Sequence, residues 1–90
     1  MNSEEIQANI LHQLFRKQKW MANHIAYDKI KKWVVVGLRG KNFKETDRIL
    51  KQLIRENLIL SKPTSYGLQI SLNIDHKEEI SKRINRFYEI

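Results

Sequence analysis

The feature that most constrains this 90-residue chain is a change of hydrophobic period. As far as Asn57 the apolar residues recur every three to four positions, in LILSK (58–62) and LQISL (68–72) the period is two, and from Ile80 the helical spacing returns. A helix buries a stripe and a strand buries one face, so each change of period marks a change of element. The pattern predicts helices first, then one hairpin, then a closing helix.

The first helix is expected over 1–21. Ser3 can cap it, Glu4 and Glu5 favour the positive end of its dipole, and Ile6, Ile10, Leu11, Leu14 and Phe15 supply the stripe. Arg16, Lys17 and Lys19 either complement the negative end or contact a polyanion. His24 and Ile25 suit a very short strand. A second helix over 26–36 follows from Tyr27, Ile30, Trp33 and Val34, with Gly37 as its stop and Leu38 plugging the core. Val34, Val35 and Val36 are poor helix formers, because β-branched side chains lose rotamer freedom there. Asn42 and Glu45 form an N-x-x-E capping pattern ahead of a third helix over 43–57, ended by Asn57 in the left-handed conformation.

PTSYG separates the two strand segments, so 58–72 reads as a hairpin, with Leu68, Ile70 and Leu72 inward and Gln69 and Ser71 outward. Asp75 and Glu78 repeat the capping pattern before a last helix over 75–90, whose stripe is Ile80, Ile84, Phe87 and Tyr88. The expected class is mainly α with a small β-hairpin, in one domain. A chain of this length can bury about 60–65% of its unfolded surface, enough for one modest core.

The net charge is +7, and its position matters more than its size. Residues 16–32 hold six cations against Asp28, and residues 33–62 hold seven against three acids. Residues 63–90 are balanced and the first fifteen are acidic. A concentrated excess points to a polyanionic partner.

The third helix, FKETDRILKQLIREN, carries the sharpest signal. Ile49, Leu50, Leu53 and Ile54 form one face, and Lys44, Arg48, Lys51 and Arg55 form a stripe nearly opposite. The apolar face needs a core, and the basic face is free for phosphates, though a solvated surface is its blander explanation. Glu45 and Asp47 interrupt the charge near the N-terminal end. Gln52 and Asn42 can reach a base edge, Asn42 having its cap role as the simpler use. Lys29 and Lys32 on the second helix, with Arg39 and Lys41 in the following loop, are candidates to hold flanking phosphates, and Lys31 points elsewhere. At the hairpin tip, Lys62, Thr64, Ser65 and Tyr66 can touch the backbone or a minor groove, with the Tyr66 ring expected to pack beneath the hairpin. Trp20, Trp33 and Phe43 suit the core or helix junctions.

Catalysis finds no support. There is no cysteine, His12, His24 and His76 lack metal-ligand spacing, and GLRGK lacks the spacing and flanking strand of a phosphate loop. No cofactor is expected. MNSEEIQANI is unlike a signal peptide and no apolar run approaches a membrane span, which suggests a soluble cytoplasmic protein.

The order helix, short strand, helix, helix, hairpin, helix is that of a winged helix-turn-helix, with a three-helix core, a wing hairpin and an extra C-terminal helix. In that geometry the third helix offers its outer face to the major groove. KPTSYGLQISLN (62–73) and YDKIKKW with GLRG (27–40) resemble small archaeal winged-helix proteins of unassigned role. The resemblance spans His24 to Ile74, about half the chain, and implies DNA binding through the fold class. The expected partner is double-stranded DNA, with transcription regulation as the role. Structured RNA and protein docking are the alternatives. The last helix either folds back on the first or joins Ile6 and Ile10 in a homodimer interface, which would set two third helices about 34 Å apart.

Overall fold

The computed structural model describes residues 2–38, 40 and 42–90, so Arg39 and Lys41 lie outside the described residues. The elements run α1 (Ser3–Arg16), β1 (Ile25–Ala26), α2 (Tyr27–Gly37), α3 (Phe43–Arg55), β2 (Ile59–Thr64), β3 (Gly67–Leu72) and α4 (Lys77–Asn85). A 3-10 turn over Ile74–His76 leads into α4. The three strands form one antiparallel sheet in the order β1-β3-β2. The chain is a small α+β domain, since the hairpin gains a third strand: Ile25 pairs with Ile70 and Ala26 with Gln69.

α1 stops at Arg16, five residues before its expected end. Gln18 takes a left-handed φ of 54° and the Lys19 amide bonds back to Leu14 O, closing the helix. The sheet then claims the next residues: Leu72 N donates to Lys19 O and Met21 N to Leu72 O. At the other end Asn2, not Ser3, is the cap, accepting from the Glu5 amide. The Ser3 hydroxyl instead donates to Glu45. The valine run stays helical because Val34 and Val35 are buried, which outweighs the rotamer loss. Gly37 is the last residue of α2, one beyond the expected end, with Leu38 as the cap, and Gly40, at φ 75°, bonds back to Val35 O.

The capping pattern at Asn42 does not form. Asn42 is left-handed at φ 63° and its side chain caps nothing, while Glu45 turns to Arg48 and Ser3. Asn57 does close α3, at φ 64°, with Leu58 N bonded to Leu53 O. Asp75 caps nothing either. Asn73 accepts from the Asp75 amide and donates to Asn57 O, tying the end of α3 to the start of the last helical stretch. α4 ends at Asn85, so Phe87 and Tyr88 lie beyond it.

The core joins every element: Ile6, Ile10, Leu11 and Leu14 of α1, Ile30 and Val34 of α2, Ile49, Leu50 and Leu53 of α3, Ile59, Ile70 and Leu72 of the sheet, and Ile80 and Ile84 of α4. α4 folds back on α1, where Tyr88 stacks on His12 with ring centroids 4.3 Å apart and its hydroxyl accepts from Asn9. Ile6, Ile10, Ile80 and Ile84 are fully buried within the chain, so a dimer through these helices would have to use other side chains. Ser71, expected outside, is buried in the central strand and donates to Met21 O. No helix among the described residues is long and apolar enough to cross a membrane.

Candidate nucleic-acid interface

The face of α3 that meets the core holds Thr46, Ile49, Leu50 and Leu53. At about 100° per residue, Lys44, Arg48, Lys51 and Arg55 fall on the opposite side, and all four are exposed. The stripe of the sequence is thus a stripe of the folded surface.

Its two borders differ. On the side of α1 and α4, Glu45 pairs with Arg48 and accepts from Ser3, and Glu56 accepts from Gln52 and pairs with Arg83 at 2.9 Å. Gln52 also accepts from Arg48, so it sits on this border with both ends of its amide engaged. On the side of α2, Asp47 accepts from the Tyr27 hydroxyl at 2.5 Å and pairs with Lys51 at 3.1 Å and Lys31 at 3.4 Å. The Tyr27 hydrogen bond, helped by the two lysines, holds the Asp47 carboxyl below the usual carboxylate range. Hydrogen bonds from Arg48 and Ser3 hold Glu45 down to about 2. Tyr27 is pushed in the opposite direction, first by burial and then by Asp47.

These pairs leave the stripe usable. Arg48 and Lys51 are each held by a carboxylate at the surface, and exposed ion pairs contribute only about 0–1 kcal/mol. A phosphate can replace such a carboxylate at little loss. Lys44 and Arg55 make no ion pair among the described residues.

The two helix-2 candidates separate. Lys29 lies over the Trp33 ring at 5.3 Å, as does Lys17, the residue after α1, at 4.3 Å, on the flank of α2 away from α3. Lys32 is exposed on the solvent side beside Phe43 and Val36. Lys31 is the lysine that meets α3, through Asp47 and over the Phe43 ring at 4.3 Å. It shares the Tyr27 face four residues on, a spacing visible in the sequence.

At the hairpin tip, Thr64 pairs with Gly67 and only Ser65 and Tyr66 form the loop. The Thr64 hydroxyl donates to Gly67 O at 2.7 Å and accepts from the Tyr66 amide, which stiffens the turn. Lys62, Thr64, Ser65 and Tyr66 are all exposed. Tyr66 does not pack beneath the hairpin: it is 94% exposed. Two residues project from a tight turn, and a ring there has no apolar surface of its own chain to cover. Pro63 is tolerated because β2 is an edge strand.

Trp20 and Trp33 are half-buried against the core as expected, but Phe43 stands 55% exposed at the start of α3. Among the described residues no group of three or more His, Asp and Glu could hold a metal ion. Compared with protein-family models, curated proteins and solved structures, the chain matches none.

Proposed function

We propose that this domain is a cytoplasmic winged helix that binds double-stranded DNA and acts on transcription. The order α1-β1-α2-α3-β2-β3 and the sheet order β1-β3-β2 support the fold, with β2 and β3 as the wing. The observation that carries the function is the exposed stripe Lys44, Arg48, Lys51 and Arg55, aimed directly away from the core along the full length of α3. A helix that packs one face on α1 and α2 and offers four cations on the other fits a major groove. The exposed wing tip supplies hydroxyls and one aromatic ring for the adjoining backbone.

The test is fluorescence anisotropy of a mixed-sequence duplex titrated at several salt concentrations. Affinity that falls steeply with salt counts the phosphates neutralised, at about 0.9 of slope per contact. The double variant Lys51→Glu/Arg55→Glu should lose binding and keep its circular-dichroism spectrum, both sites being exposed. Absence of binding at low salt would make the stripe a solvated or protein-facing surface and put protein docking first. A matched RNA duplex bound as tightly as DNA would move the reading to structured RNA.

A further inference from the structure

Folding leaves Phe43 and Val36 unexplained. Phe43 is 55% exposed and Val36 is 65% exposed. With Val35 they form the apolar wall of an open depression of about 340 Å³ where the end of α2 meets the start of α3, rimmed by Asp28, Lys31 and Lys32. The ring is also held in place. Lys31 lies over it at 4.3 Å, and Asp47 anchors Lys31 at 3.4 Å while taking the Tyr27 hydrogen bond. An exposed ring under one lysine, itself anchored by a carboxylate that is hydrogen-bonded in turn, is organised for contact rather than merely tolerated.

Phe43 is the first residue of α3, next to Lys44, the N-terminal cation of the basic stripe. The N-terminal residues of a helix docked in a major groove are those that meet base edges. Only one base offers an apolar group there, the C5-methyl of thymine, and an aromatic side chain is one of its natural contacts. We propose, resting on the reading of α3 as the groove helix, that Phe43 covers thymine methyls and gives this domain a preference for A·T pairs at that end of its site. Its place at the N-terminal end of α3, one residue before Lys44, is what argues for DNA as the occupant, and an acidic, apolar protein segment is the other outcome of the test. Lys31 is a positioning residue, acting through the ring.

Deoxyuridine tests this directly, since it removes the methyl and keeps the base pair. Two A·T-rich duplexes of one sequence are titrated by anisotropy at one salt concentration, one with thymidine and one with deoxyuridine throughout. Wild type should bind the thymidine duplex about fourfold tighter for each methyl covered, the ratio that one buried methyl group confers. Phe43→Ala should bind both duplexes alike, with an unchanged salt slope because no charge is altered. Phe43→Leu should keep part of the preference, which also shows that the site tolerates substitution. Equal wild-type binding to both duplexes, or a preference that survives Phe43→Ala, overturns the proposal while the DNA reading stands. No binding to either duplex overturns both and leaves the depression to a protein segment.

Discussion

Asp47 shows how much one side chain can organise here. It joins α3 to α2 through Tyr27 and Lys31 and steadies Lys51 of the stripe. Its depressed pKa makes it a stabiliser above the unfolded carboxylate range, and that stability is lost as pH falls through the folded value. Glu45 and Glu79 shift in the same direction. Stability measured by denaturant should therefore be level with respect to these carboxylates above about pH 5 and decline towards pH 2. Tyr27→Phe removes the largest of the effects holding Asp47 down. Its carboxyl, followed by NMR, should titrate closer to 3.8, and the fold should lose about 1–2 kcal/mol. A carboxyl that titrates unchanged would show that the lysines, not the tyrosine, set its value. Spacing shows the Asp47–Lys51 pair and the shared face of Tyr27 and Lys31, but not the bonds that join Asp47 to α2, since these depend on how the two helices pack. The cap residues misled for a related reason. Asn42, Ser3 and Asp75 have the right composition, but capping needs a backbone angle fixed by how the chain enters the helix, and Asn42 enters left-handed.

At the scale of elements, α3 was the most legible, because its apolar and basic stripes both repeat at helical spacing and fall on opposite sides. β1 was only hinted at: two residues carry no period, and they become a strand because β3 lies alongside to pair with them. α4 shows a stripe that reads correctly for Ile80 and Ile84 but overruns, since Tyr88 reaches α1 from beyond the helix. The buried pair predicts the role of this element. Ile84→Ala should cost about 2–5 kcal/mol through lost contacts and a cavity, read as a lower denaturation midpoint at unchanged slope. A loss well under 1 kcal/mol would mean that α4 is an appendage rather than part of the core. The hairpin tip behaves in the opposite way. Tyr66 is almost wholly exposed, so Tyr66→Ala should leave the denaturation midpoint within about 0.5 kcal/mol of wild type. Its duplex affinity should nevertheless fall, and an unchanged affinity would remove the ring from the interface.

At the scale of the whole molecule, the fold separates two clusters of cations among the described residues that the sequence runs together. Residues 16–62 carry the whole positive excess as a string, but the fold places Lys17 and Lys29 together on Trp33, at the seam of α1 and α2. Positions 29 and 31 point about 160° apart around α2, and it is Lys31 that faces α3. On the proposed reading, a duplex docked on α3 and the hairpin would draw on one cluster and leave the other in solvent. That division can be measured, because each phosphate contact adds about 0.9 to the slope of log affinity against log salt. Lys44→Gln/Arg55→Gln removes two stripe cations that have no ion-pair partner among the described residues, and should reduce the slope by about two. Lys17→Gln/Lys29→Gln removes the same charge from the seam and should change the slope by well under one. The two variants have equal net charge, so a general attraction of polyanions to a basic protein would lower both slopes alike. Only a defined docking face separates them, and the reverse ranking would place that face on α1 and α2 instead.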